Sequence, residues 1–127
     1  MDIEALMATF SEDCSYSIPT MGLYLKGKDQ IRAYYLNAFE SISRFQNAES
    51  EWFEAGDDVF LKFRIVGQHV GPFGHLPASG NELDVRGIAH FPRADDGKLA
   101  GEHVYFGIEM LSQLGVKSLS DLIPPTQ

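Results

Sequence analysis

The chain has 127 residues, 44% of them hydrophobic, and a formal net charge of −8; that length supports one domain over residues 1–127 and is too short for two. The acidic balance argues against a nucleic-acid partner and against an anionic membrane surface, both of which select basic faces. Cys14 is the only cysteine, so no internal disulfide forms and a reducing cytoplasm is expected; there is no apolar run of membrane-spanning length and no signal-peptide pattern.

Ile3, Leu6, Met7 and Phe10 fall at i, i+3, i+4 and i+7, one stripe of a short helix that Asp2 can cap. Cys14, Tyr16 and Ile18 then alternate with serines in a short strand ended by Pro19. Gly27-Lys28-Asp29 opens the main helix, whose apolar face carries Ile31, Tyr34, Tyr35, Ala38, Phe39 and Ile42. Residues 45–53 read as extended, and Gly56-Asp57-Asp58 as a turn. Val59, Leu61, Phe63 and Ile65 alternate with Phe60, Lys62, Arg64 and Val66, the strongest period-two signal in the chain, which continues to His69 or Val70.

The Gly- and Pro-rich segment from Gly71 to Asn81 breaks the ladder. Leu83, Val85, Ala89 and Phe91 alternate with Asp84, Arg86, Ile88 and His90 in the next strand. Asp95-Asp96-Gly97 is a reversal, and Lys98 to Phe106 returns as the last strand. There His103, Tyr105 and Gly107 share one face, Val104 and Phe106 the other. Met110, Leu111 and Leu114 follow at helical spacing before Gly115, and Ser118 can cap one further turn through Leu122. Helix, strand, helix and then four strands joined by turns make an α+β domain whose sheet curls over the helices and leaves a cavity.

The order of these elements, with Gly27-Lys28, Ile31-Arg32, Asp96-Gly97-Lys98, Tyr105-Phe106 and Gln113-Leu114-Gly115, resembles the SnoaL-like polyketide cyclases of the nuclear transport factor 2-like superfamily. The resemblance implies a cone: a curved, mixed, mostly antiparallel sheet wrapped around helices, here with a shortened N-terminal helix. It also implies a cofactor-free cyclase, isomerase or hydrolase that moves a proton on a small apolar carbonyl- or epoxide-bearing molecule, and a homodimer. The outer sheet face, with Phe60, Val66 and Ile88 among polar residues, is the expected dimer surface. In such enzymes the position after the aromatic pair is commonly an aspartate; here it is Gly107.

Four histidines, with no pair at metal-ligand spacing and one cysteine, do not make a metal site. No phosphate-cradling glycine loop or nucleophile elbow is present. His103 titrates near neutrality and is the first candidate proton carrier, followed by Glu109 and Tyr105. Glu109 also reads as a solvated acid at a helix start. Asp84 and Arg86, with His90 further along, either position a substrate or form a solvent-facing pair. Tyr16, Tyr35 and Trp52 are candidate cavity walls. Two classes of function follow: an acid/base enzyme, or a non-catalytic protein that binds a small apolar ligand or acts as a dimeric scaffold. The absent side chain at Gly107 favours the second.

Overall fold

The computed structural model describes residues 2–125. Asp2 caps helix α1 (Ile3–Ala8), its carboxylate accepting from the Ala5 N–H at 3.0 Å. The helix stops short of Phe10, which the apolar stripe had included. Instead the Thr9 carbonyl accepts from the Leu99 N–H at 2.9 Å, so the chain joins the sheet and Phe10 opens strand β1 (Phe10–Ile18). A 3₁₀ turn at Pro19–Met21 leads to β2 (Leu23–Lys26), then to the main helix α2 (Lys28–Ser41) and β3 (Ile42–Ala55).

Ile42 also leaves the helix to which its spacing assigned it. The Ser41 carbonyl accepts from the Val70 and Gly71 N–H groups, and the Ser41 hydroxyl bonds back to the Ala38 carbonyl. Helix end and sheet edge are thereby tied at one residue. Strands β4 (Asp58–His69), β5 (Glu82–Phe91) and β6 (Leu99–Phe106) follow, then the short helix α3 (Glu109–Gln113). A final 3₁₀ turn at Leu119–Leu122 has a capping box between Ser118 and Asp121.

All six strands form one sheet in the order β2-β1-β6-β5-β4-β3. Every neighbouring pair is antiparallel except β1 and β6. Register shifts in β3 between Ser43 and Gln46 and between Asn47 and Glu49 bend that strand, as bulges do. Gly87 lets the sheet fold inward: a Cβ there would stand 2.7 Å from the Phe63 ring. The concave face carries Phe63, Leu83, Val85, Ala89 and Val104, all buried. Helix α2 lies over it with Ile31, Tyr34, Tyr35, Ala38 and Phe39 turned inward. This is the α+β cone that the pattern and the resemblance led us to expect.

The Gly71–Asn81 segment is irregular, as its composition requires, but it is anchored. Asn37 donates to the Pro72 carbonyl and accepts from the Gly74 N–H, and Phe73 and Leu76 are buried. No helix among the described residues is long and apolar enough to cross a membrane.

The parallel seam between β1 and β6 is tight. A Cβ added to Gly101 would collide with the Ser15 carbonyl oxygen directly across it. Backbone cannot yield there without breaking the pairing, so Gly101→Ala should cost about 1–3 kcal/mol, as other overpacking does. The expected reading is a lower urea midpoint at unchanged slope.

Candidate active site

The concave face and α2 enclose a cavity of about 270 Å³. Its walls are mostly apolar and aromatic; apart from Asn47 on β3, its polar groups gather on one patch. Across the parallel seam Tyr16 of β1 pairs with Glu102 of β6. Partners in register share a face, so phenol and carboxyl stand side by side over the cavity floor. On α2, Tyr34 and Tyr35 descend onto them from above. The Tyr35 hydroxyl donates to Glu102 Oε1 in a short hydrogen bond. The Tyr16 hydroxyl donates to that of Tyr34 at 3.2 Å, and the two rings lie 4.5 Å apart.

Burial sets the electrostatics of this cluster. Glu102 keeps some accessible surface, but side chains enclose its carboxyl, and desolvation raises its pKa from 4.5 to about 7; the bond from Tyr35 partly offsets the rise. The phenols of Tyr16, Tyr34 and Tyr35 are all raised, chiefly by burial, and stay protonated donors. No Lys, Arg or His lines the cavity among the described residues. No group of three or more His, Cys, Asp or Glu among them could hold a metal ion.

Of the candidates read from sequence, Tyr16 and Tyr35 line this cavity. Trp52 is on β3 and 60% exposed, tilted against Phe91 at 5.9 Å beyond the cavity wall. The others are elsewhere. Because Glu102, Val104 and Phe106 face inward, His103 and Tyr105 project from the convex face. His103 Nδ1 is 2.7 Å from the Ser17 hydroxyl, and its pKa is lowered by burial and then by His90. His90 Nε2 is 2.9 Å from Asp58, which its hydrogen bond holds below the usual carboxylate range.

Asp84 and Arg86 do not pair with each other. Arg64 binds Asp84 through two bonds of 2.8 Å, and Arg86 donates to Glu49 at 2.9 Å. The carboxylate of Glu109 folds over Gly107, filling the space a side chain there would need, and accepts from the Arg86 N–H at 3.4 Å. It does not line the cavity. The sequence reading missed Glu102. The available signal was a carboxylate two residues from Val104 and four from Phe106, on the apolar face of a strand.

A SnoaL-like domain model matches residues 1–102. No curated protein matches the chain. Among solved structures, a provisionally assigned polyketide cyclase from Pseudomonas putida KT2440 superposes with a TM-score of 0.76 at 24% identity, covering 88% of this chain and 85% of that one. A provisionally assigned SnoaL-like polyketide cyclase from Jannaschia sp. CCS1 gives 0.77 at 21% identity, over 91% and 79%. A protein of ketosteroid isomerase-like fold from Catenulispora acidiphila, solved in complex with trimethylamine, gives 0.67 at 18% identity, over 94% and 86%. At these identities the superpositions establish the fold alone.

A carboxyl whose folded pKa lies above its unfolded value favours folding while it is protonated. That contribution is complete below about 4.5 and is lost as pH rises through about 7. Between pH 5 and 8 the native protein should therefore lose up to about 3 kcal/mol relative to Glu102→Gln. His69 and His103, whose pKa values burial lowers, slope the opposite way in both proteins and cancel in the comparison. Urea unfolding of the two across that range is the check.

Proposed function

The chain belongs to the SnoaL-like domain family, and from that premise we propose that it is a cofactor-free acid/base enzyme acting on a small apolar carbonyl compound, with Glu102 as the proton carrier. The observation that carries this reading is the Glu102 carboxyl, near pKa 7, standing in an aromatic cavity with Tyr35 bound to one oxygen. A base poised near neutral pH is half ionised, able both to take a proton and to return it.

In this mechanism the Glu102 carboxylate removes a proton from the carbon beside the carbonyl. The resulting negative charge moves to the carbonyl oxygen as an enolate. Tyr34 is the donor for that oxygen: it accepts its own bond from Tyr16, which leaves its proton free to point at substrate. Where a double bond is conjugated with the enolate, Glu102 then delivers the proton to the far carbon, giving an isomer; alternatively the enolate carbon attacks a second carbonyl of the same molecule, closing a ring, and the resulting alkoxide takes the proton back from Glu102. Tyr35 keeps Glu102 oriented and limits the rise of its pKa.

Substrate size is bounded by the walls. A cavity of about 270 Å³ sits below the usual range of roughly 300–1,000 Å³ for drug-sized ligands. One or two rings suit it better than the fused four-ring skeletons of larger polyketides. We further propose a cytoplasmic homodimer joined through the convex face, supported by Ile88 and Tyr105, which remain 47% and 52% exposed there.

Hydrogen–deuterium exchange beside the carbonyl of small cyclic ketones, followed by NMR, tests the chemistry without knowledge of the natural substrate. The protein should accelerate exchange, and Glu102→Gln should lower the rate about 10²–10⁴-fold. His103→Ala and Glu109→Gln should leave it unchanged. Full exchange in Glu102→Gln would move the proton carrier elsewhere. Absent exchange with every ketone, alongside a raised melting temperature with apolar ligands, would favour the binding-protein alternative to which Gly107 points.

A further inference from the structure

Glu102 has one oxygen in use. Oε1 takes the Tyr35 hydroxyl, while Oε2 has no hydrogen-bond partner among the described residues, and Glu102 lines the cavity. A carboxylate in apolar surroundings is costly unless a cation or several donors compensate it, and this one has only the Tyr35 bond. The protein supplies no cation, because no basic side chain lines the cavity among the described residues. The groups facing Glu102 are Tyr16 from β1 and Tyr34 and Tyr35 from α2, with Cys14 beside Tyr35; all are neutral at physiological pH. The remaining walls are largely apolar, with Phe39, Phe63, Phe73 and Phe106 among aliphatic side chains. The surface of the chain is acidic overall, at −8, which raises the local concentration of cations.

We propose that the cavity takes a second class of ligand, compact lipophilic amines, bound as ammonium ions that donate to Glu102 Oε2 and pack their hydrocarbon against the aromatic walls. The inference rests on the reading of this cavity as the ligand site. The N–H to carboxylate bond is charge-assisted, and a low-dielectric site strengthens it. Aromatic rings around an ammonium add a favourable quadrupole term. A neutral ketone exploits only the phenol donors. An ammonium ion meets the unpaired oxygen as well, and its charge offsets the burial that keeps the carboxyl protonated. Amine binding and ionisation of Glu102 are therefore linked: the ammonium draws the carboxyl pKa back down, and binding tightens as the carboxylate forms. A bound amine blocks the base, so the same compounds act as competitive inhibitors of proton transfer.

N,N-dimethylbenzylamine and isobutylbenzene separate these terms, because they differ chiefly in a protonated nitrogen replacing a CH group. NMR titration of the intact protein should give the amine at least about a tenfold advantage at pH 8, the order expected of one desolvated charge-assisted bond. The amine stays protonated over the range used, so the titration of Glu102 controls the pH dependence. With that carboxyl at about 7, the amine's affinity should fall about tenfold from pH 8 to pH 6 while the hydrocarbon's stays level. In Glu102→Gln the advantage should vanish and the hydrocarbon should still bind. The pH series on the native protein keeps the test intact should that variant fold poorly. Equal binding of the two probes at pH 8, an advantage that does not change with pH, or one that survives in Glu102→Gln would overturn the amine assignment and leave the cavity reading standing. Failure of both probes to bind would overturn the two together.

Discussion

The hydrogen bond from Tyr35 to Glu102 ties the helix to the sheet where a carboxyl is least at home. Two independent placements make it. The parallel seam fixes Glu102 beside Tyr16 on the concave face, and the spacing of Ile31, Tyr35 and Phe39 turns that stripe of α2 downward. A one-residue slip of β6 would turn Glu102 out onto the convex face, and a rotation of α2 would leave a buried carboxyl without its donor. Such an orphan costs more than the bond itself contributes. The polar cluster thus specifies the docking of α2, while the apolar contacts around it supply most of the favourable free energy.

The convex face obeys a different logic. Arg86, Glu49, Arg64 and Asp84 form a chain of ion pairs across three strands. These side chains are between 31% and 63% exposed, so each pair adds little stability. Their value lies in register: slipping β4 by one residue would send Lys62 and Arg64 into the cavity and Phe63 into water. His90 stacks on Phe60 at 4.5 Å within the same surface, so His90, Asp84 and Arg86 make their contacts on this face and not in the cavity. Two unlike faces, one apolar with a single carboxyl, one charged and interrupted by Phe60, Ile88 and Tyr105, come from a single alternation.

Much of this was legible beforehand. The period-two run through β4 identified both faces correctly, because Phe63 and Arg64 differ so sharply in hydration cost. The α2 stripe placed Tyr34 and Tyr35 on the inner side. Which face of β6 lines the cavity was less legible. His103 and Tyr105 drew attention as titratable groups, and the resemblance drew it to Gly107 on the same side. Yet Val104 and Phe106 mark the buried face by elementary hydrophobicity, and Glu102 belongs with them. The helix ends at Ala8 and Ser41 were misjudged for a related reason. Phe10 and Ile42 satisfy a helical stripe and a strand equally well, and backbone partners distant in sequence, Leu99 and Val70, decided between them.

The folding of Glu109 over Gly107 has a consequence for how such a chain can diverge. What occupies the space above Gly107 is the far end of a flexible side chain, so an acid at 107 would displace the Glu109 carboxylate and leave the backbone in place. The displaced group would give up its bond from the Arg86 N–H and leave two carboxylates close together at the start of α3. Their repulsion, more than any overlap, is the cost of an aspartate there. Shortening residue 109 would ease such a change without being a precondition for it.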